Sequence, residues 1–242
     1  MTVTYDYTGR SVLVTGGTRG IGAGIARAFH EAGAEVTVCA RTPPTAGEFR
    51  FVQADVRDPG DVERLIAGLG RLDVVVNNAG GSPPAPLAGT SPRLHARVIE
   101  LNLTAPLLVS QAAHPLLAAT GGAIVMIGSS SGARPSPGTA AYGAAKAGLH
   151  HLARCLAAEW APDVRVNTVV VGLAATEDTT AHYGGKDLDG KAIPAGRMAT
   201  PADVAAACLW LAAPGYVTGA EVRVDGGGEV PAWRHLVTGD IS

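Results

Sequence analysis

The chain alternates short, continuously apolar runs with longer segments of helical periodicity. Runs that are apolar throughout predict strands buried on both faces, and helices between them predict that the strands run parallel. We expect strands at 11–15, 35–40, 49–54, 72–77, 123–127, 164–171 and 220–224. We expect helices at about 21–32, 58–69, 92–119, 142–160 and 201–212. No linker interrupts the pattern, so it predicts a single doubly wound α/β domain over residues 1–242.

Composition narrows the classes of function. Hydrophobic residues make up 47% of the chain and aromatic residues only 5%, which predicts a core of small aliphatic side chains. A net charge of −2 gives no positive surface for nucleic acid or an anionic membrane. No apolar run reaches about 18 residues and no signal peptide opens the chain, so we expect a cytoplasmic protein. Only three of the 19 basic residues are lysines, which is typical of a GC-rich bacterial genome.

The three cysteines, Cys39, Cys155 and Cys208, lie in separate apolar segments. This scatter predicts small buried thiols rather than a disulfide framework or a metal site.

A glycine-rich turn, TGGTRGIG at 15–22, joins the first predicted strand to the first helix. Glycines at 16, 20 and 22 allow a tight turn and a close approach of a pyrophosphate to the helix N-terminus. The spacing is GxxxGxG rather than the general GxGxxG, and a structural turn is the alternative. The turn therefore predicts a dinucleotide site.

The end of the second predicted strand indicates which dinucleotide is bound. NAD-binding folds commonly carry an acid here for the ribose 2′-hydroxyl, whereas this chain has Cys39-Ala40-Arg41. Arg41 and Arg19 offer two guanidinium groups for a 2′-phosphate. The alternative is a pair of solvated arginines. The sequence favours NADP(H) over NAD(H).

Tyr142 and Lys146 stand four residues apart on a predicted helix and therefore share one face. A neighbouring ammonium favours the phenolate and lowers the pKa of a tyrosine toward neutral pH. A serine at the preceding strand end, in GSSSG at 128–132, can hydrogen-bond a carbonyl oxygen that gains charge. This set of groups predicts proton transfer to and from an alcohol oxygen.

Together these motifs resemble the short-chain dehydrogenase/reductase family over essentially the whole chain, and the resemblance implies a Rossmann-type fold. Further matches are Asp55-Val56, NNAG at 77–80, Asn102 in LNLT, PAGR at 194–197 and VDGG at 224–227. Ser129 precedes Tyr142 by 13 residues, the spacing of the family's serine and tyrosine. The resemblance implies a catalytic tetrad of Asn102, Ser129, Tyr142 and Lys146, with Asn102 holding a water in a proton relay.

The resemblance also implies a set of cofactor contacts along the chain. Asp55-Val56 would meet the adenine and Asn78 the cofactor cleft. The full set is Gly16, Thr18, Arg19, Gly20, Ile21, Arg41, Asp55, Val56, Asn78, Ala79, Gly80, Tyr142, Lys146, Ala174 and Thr176. One departure falls after the sixth strand, where Val171 replaces the family's proline while Gly172 and Thr176 remain.

The resemblance implies a small-molecule carbonyl or alcohol substrate. The motifs are most similar to the 3-oxoacyl-carrier-protein reductase branch, so a carrier-bound or CoA-bound 3-oxoacyl group is one alternative. Such carriers are acidic, and the helix before the fifth strand, AAHPLLAATGG, has no Arg or Lys. We therefore favour a free ketone or secondary alcohol. Enoyl reductases use a longer Tyr-to-Lys spacing, and sugar epimerases need a longer C-terminal domain.

A non-catalytic nucleotide-binding or scaffold protein is the lower alternative, although such proteins usually lose the Tyr or Lys. The family resemblance implies a homotetramer, with a dimer as second choice.

The Gly-rich segment at about 174–197 is expected to be a mobile substrate loop, with His182 and Tyr183 as candidate contacts. A tail at about 228–242 carries Trp233, which is expected at a subunit interface.

Overall fold

The predicted apolar runs form one parallel sheet. The computed structural model describes residues 4–44, 47–177 and 193–228, and all statements below concern these residues. The strands are β1 Ser11–Thr15, β2 Glu35–Ala40, β3 Arg50–Gln53, β4 Val74–Asn77, β5 Ala123–Ser129, β6 Arg165–Val171 and β7 Glu221–Val224. Their order across the sheet is β3-β2-β1-β4-β5-β6-β7, and every pairing is parallel. This order confirms the doubly wound Rossmann-type fold.

Helices cover both faces of the sheet. They are α1 Gly20–Glu31, α2 Pro59–Ala67, α3 Pro92–Ile99, α4 Ala105–Ala118, α5 Ala140–Trp160 and α6 Pro201–Ala212. One core joins alternate strand residues such as Val75 to α2, α4 and α5. The other joins the intervening residues, such as Val76, to α1 and α6. Both faces of each central strand are therefore buried, which is why the strands are apolar without alternation.

The helix expected at 92–119 is interrupted by a π-helical turn at Glu100–Thr104, between α3 and α4. The side-chain Nδ2 of Asn102 donates to the Val98 carbonyl, four residues earlier, at 2.9 Å. A regular α-helix would pair that carbonyl with a backbone N–H. The wider turn buries Asn102 completely and directs its amide toward the loop after β4.

The end of α6 is held by Arg165, the first residue of β6. Its guanidinium donates to the carbonyls of Leu211, Ala212 and Ala213 at 2.8–3.1 Å, and to Val217 at 3.3 Å. These are carbonyls that a helix terminus leaves without intrahelical partners. One half-buried side chain thus joins α6 to the sheet.

We expect Arg165→Met to lower the free energy of unfolding by about 2 kcal/mol or more, because it leaves several carbonyls without donors. Arg27→Met is the matched control, since Arg27 is 60% exposed and its nearest acid, Glu48, lies at 3.8 Å. We expect that change to stay within about 0.5 kcal/mol of the wild type. Urea denaturation of the three proteins makes the comparison. Equal losses in both variants would show that the carbonyl contacts contribute nothing specific.

Candidate active site

A cleft of about 1210 Å³ opens at the carboxyl ends of the strands. It crosses the point between β1 and β4 where the winding of the chain reverses, the position at which open α/β sheets bind ligands. All predicted site residues except Asn102 line this cleft. Asn102 is fully buried beneath it.

The glycine turn forms one end of the cleft and disfavours a larger residue at three positions. Gly16 has φ +63° and Gly20 has φ +54°, a region that favours glycine. A Cβ atom on Gly22 would overlap the Gly16 carbonyl oxygen. Thr176 lies beside Gly20 across the cleft, close enough to contact a side chain there at 3.6 Å. The turn is therefore shaped for close backbone approach to a ligand at the start of α1.

The two asparagines of the NNAG segment have different positions. Asn77 points into the core, where its Nδ2 donates to Ser110 Oγ at 2.9 Å. Asn78 Nδ2 donates to the carbonyls of Thr15 at 2.9 Å and Gly16 at 3.1 Å. The Thr15 hydroxyl in turn accepts the N–H groups of Asn78 and Ala79 at 3.0 Å. Asn78 thus lines the cleft and also braces the glycine turn.

The predicted adenine end contains a residue that motif reasoning missed. Arg57 donates to Asp55 through Nε at 2.9 Å and through Nη2 at 2.5 Å. Hydrogen bonding from Arg57 holds the pKa of Asp55 below its usual range, and Arg41 adds a smaller effect in the same direction. Asp55 is therefore a carboxylate already engaged by Arg57. In the sequence, the only sign of this contact was an arginine two residues after the aspartate.

Arg19 and Arg41 both line this end of the cleft and are exposed. Arg19 immediately precedes α1, and Arg41 immediately follows β2. The Arg41 carbonyl accepts a bond from Gln53 Nε2 at 2.8 Å, which holds its backbone against the end of β3. Two arginines thus line the end of the cleft at which β2 ends in Ala40 rather than in an acid.

Tyr142 and Lys146 lie in the first two turns of α5, which begins two residues before the predicted start. The Lys146 Nζ lies 5.7 Å from the centroid of the Tyr142 ring. It donates to the Ile127 carbonyl at 2.8 Å, and the side chain is buried. Burial lowers the pKa of Lys146 to about 8, so this ammonium titrates closer to neutral pH than an exposed lysine.

Asn102 connects the π-helical turn to the loop after β4. Its Oδ1 accepts the Gly81 N–H at 2.9 Å, and its Nδ2 donates to the Gly81 carbonyl at 2.8 Å. A Cβ atom on Gly80 would lie 2.7 Å from Asn102 Oδ1 and 3.3 Å from Lys146 Nζ. Both side-chain atoms therefore face the space that a side chain at Gly80 would occupy, and the absence of one lets them lie close together.

Ser129 is the last residue of β5, which runs two residues beyond its predicted end. Its hydroxyl accepts the Ser131 N–H at 3.2 Å. Ser131 also receives a bond from Ser136 Oγ at 3.1 Å, and Ser136 lies 2.7 Å from the Thr139 hydroxyl. A row of hydroxyl groups thus lines the cleft beside Ser129.

The chain after β6 forms the opposite wall. Val171 is buried, and the Gly172 N–H donates to the Val224 carbonyl at 3.0 Å. Ala174 pairs with Ala199 in an isolated parallel bridge. These bonds fix Ala174 and hold the backbone before Thr176. His182, Tyr183 and most of the predicted substrate loop lie outside the described residues, as does Trp233 in the tail.

Comparisons with known proteins agree with this geometry. A family model described as "Enoyl-(Acyl carrier protein) reductase" matches residues 16–229. The 3-oxoacyl-(acyl-carrier-protein) reductase FabG of Chlamydia muridarum is 36% identical over 239 residues, covering 90% of this chain and 96% of the relative. L-fucose dehydrogenase of Bos taurus is 37% identical over 248 residues, covering 93% and 91%.

Two solved structures are also similar. One is titled "short chain dehydrogenase/reductase family protein", with a TM-score of 0.85 and 36% identity over 92% of this chain and 98% of that one. The other is the Pseudomonas aeruginosa RhlG/NADP active-site complex, with a TM-score of 0.84 and 34% identity over 94% and 99%. The chain belongs to the short-chain dehydrogenase/reductase family and is an oxidoreductase. Among its described helices, none has the length and apolarity to cross a bilayer.

Proposed function

We propose that the protein interconverts a ketone and a secondary alcohol with NADP(H), using Ser129, Tyr142, Lys146 and Asn102. The observation that carries the proposal is their convergence at one end of the cleft. Lys146 lies beside the Tyr142 ring and bonds the strand that ends at Ser129. Asn102 Oδ1 and Lys146 Nζ both face the space beside Gly80.

The cofactor fit rests on the shape of the other end. The overlap that a Cβ would make at Gly22 and the positive φ angles at Gly16 and Gly20 describe a cradle for phosphate groups. Thr176 faces that cradle, and Arg19 and Arg41 line the same end of the cleft, where they would flank the ribose. When bound, the nicotinamide would supply or accept the hydride.

The protein's own groups would manage the proton. In the reductive direction, Ser129 Oγ donates a hydrogen bond to the substrate carbonyl oxygen, and Tyr142 transfers its proton to that oxygen as charge develops. The Lys146 ammonium favours the phenolate that remains. Asn102 holds the loop at Gly81 and fixes the water through which Lys146 is resupplied.

NADP(H) is the proposed cofactor because the end of β2 carries Arg41 rather than an acid, and Arg19 lines the same end of the cleft. Similarity to the RhlG/NADP complex supports this choice. We expect Arg41→Met to weaken NADPH binding about 10-fold or more, and the Arg19→Met/Arg41→Met double variant to weaken it further. Each arginine–phosphate contact contributes about 1.5–3 kcal/mol, whereas NADH has no 2′-phosphate to lose.

Nicotinamide fluorescence titrations with NADPH and NADH measure these constants. Arg27→Met is the control, since Arg27 is exposed and does not line the cleft. Tighter binding of NADH than NADPH by the wild type would contradict the assignment of the arginine pair.

The proposed substrate is a free carbonyl or alcohol. The α4 residues 105–118 include no Arg or Lys to attract an acidic carrier protein, and serine and threonine hydroxyls line the cleft beside Ser129. A 3-oxoacyl thioester is the second candidate, supported by the similarity to FabG. Comparing kcat/KM for a free 3-oxo ester and its carrier-protein thioester separates them: a preference for the carrier by 100-fold would overturn our choice.

Reduction of a carbon–carbon double bond is disfavoured despite the description of the matching family model, because only three residues separate Tyr142 from Lys146. A purely nucleotide-binding role is disfavoured because both residues are present.

We further propose a cytoplasmic homotetramer, with a dimer as the alternative. Exposed apolar side chains on α3, α4 and α6 support self-association; these are Ile99, Leu107 and Trp210.

A further inference from the structure

Helix α5 carries a third buried polar residue behind the site. His150 follows Lys146 by four residues, as Lys146 follows Tyr142, so all three lie along one face. The imidazole is 4% exposed, and its Nε2 accepts the backbone N–H of Ser129 at 3.3 Å. The site described above leaves His150 without a role.

The register of the sheet explains why Ser129 needs this partner. Strand β4 ends at Asn77, opposite Met126 of β5. The Ile127 carbonyl and the Ser129 N–H lie beyond that end, on a part of β5 that β4 does not reach. Lys146 donates to the first group and His150 accepts from the second. Two neighbouring turns of α5 thus complete the backbone bonding at the end of the strand that carries the catalytic serine.

The contacts of His150 define its tautomer. Nε2 must be unprotonated to accept the Ser129 N–H, so the proton of the neutral ring is on Nδ1. Nδ1 lies 3.6 Å from Glu221 Oε2 on β7, and Arg154 Nη1 lies 3.1 Å from the other carboxylate oxygen. The Nε2 lone pair faces a backbone N–H, so this Ser-His-Glu sequence does not have the hydroxyl-to-imidazole contact of a hydrolytic triad.

The surroundings of the His150 ring, taken together, favour its neutral form. Burial lowers the pKa of His150, Glu221 opposes that shift, and the cations of Lys146, Arg154 and Arg223 reinforce it. A side chain on Gly128 would overlap Nε2, so the ring packs directly against the strand.

We propose that His150 is a positioning residue: its neutral ring, oriented by Glu221, holds the Ser129 backbone so that the serine hydroxyl faces the substrate carbonyl. Protonation replaces the acceptor at Nε2 with a second donor, which opposes the Ser129 N–H and displaces the end of β5. Activity then falls as the pH falls through the titration of His150. This inference rests on the proposed catalytic role of Ser129.

The test compares His150→Met, which removes the acceptor, with His150→Gln, whose amide oxygen can replace it. We expect His150→Met to lower kcat about 10-fold with an unchanged KM for NADPH. We expect His150→Gln to recover most of kcat and to lose the acid limb of the kcat–pH profile. Glu221→Gln should move that limb to lower pH, because it removes the carboxylate that favours the protonated ring.

His151→Met is the matched control, since His151 is the exposed neighbour and contacts Arg154 rather than the strand. Wild-type kcat in His150→Met, or an acid limb that persists in His150→Gln, would overturn the proposal. If His150→Met does not fold, the pH profiles of His150→Gln and Glu221→Gln still decide it.

Amide hydrogen exchange separates this inference from the proposed function. We expect the Ser129 amide to exchange at least 10-fold faster in His150→Met than in His151→Met, whether or not a substrate is known. If the Ser129 amide exchanges faster in His150→Met but the wild type reduces no ketone, the contact of His150 with Ser129 is supported and the proposed function is rejected. Unchanged exchange would reject the contact itself.

Discussion

Replacing Tyr142 by Phe is expected to lower the turnover of ketone reduction by about 10²–10⁴-fold, the range that a positioned general acid contributes. The change removes one hydroxyl from a half-buried ring and leaves the cleft lining otherwise intact. Lys146 would remain bonded to the Ile127 carbonyl. We therefore expect folding and NADPH affinity to stay within about threefold of the wild type.

Tyr216→Phe is the control for this experiment, because Tyr216 is fully exposed and does not line the cleft. Steady-state rates and fluorescence titrations on the three proteins give both parameters. Turnover of Tyr142→Phe near that of the wild type would reject Tyr142 as the proton donor.

Lys146→Met is expected to abolish most activity and to change the pH dependence of stability. The folded-state pKa of Lys146 is about 8, against an ordinary value of 10.5, because burial disfavours the ammonium. Between these values the native protein binds fewer protons than the unfolded chain, so the Lys146 contribution makes the wild type more stable as the pH rises. The Met variant lacks this contribution.

Between pH 7.5 and pH 10, we expect the unfolding free energy of the wild type to rise by about 2 kcal/mol relative to that of Lys146→Met. At pH 7, removal of the buried charge favours the variant, while loss of the Ile127 bond costs about 1–3 kcal/mol. The two stabilities should therefore lie within about 2 kcal/mol there. Urea denaturation at matched protein concentration measures the difference, and parallel pH profiles would contradict the assignment.

The strand pattern could be predicted because strands buried on both faces must be apolar throughout. The ends of the strands and helices were less predictable. β5 extends to Ser129, and α5 starts at Ala140, because both bounds depend on backbone bonds made after the elements pack. The π-helical turn between α3 and α4 was missed because helical periodicity does not reveal a side-chain bond such as that from Asn102 to Val98.

The site residues were predicted from motifs, and the geometry that relates them required the fold. Asn102 and Lys146 both approach the side of Gly80 where a side chain would lie, which sequence spacing does not reveal. Arg57 was missed because an arginine after an aspartate is common in loops. His150 was missed because an i+4 repeat carries no information about which backbone group lies opposite it.

Deuterium transfer tests the central claim most directly. The wild type would be incubated with NADPH carrying two deuterium atoms at C4 of the nicotinamide and with a panel of free ketones and 3-oxoacyl thioesters. We predict one deuterium on the carbinol carbon of the product alcohol, and labelled alcohol formed about 10²–10⁴-fold more slowly when Tyr142→Phe replaces the wild type. Deuterium on any carbon other than the carbinol carbon, or NADPH that binds without reducing any carbonyl of the panel, would contradict the assignment.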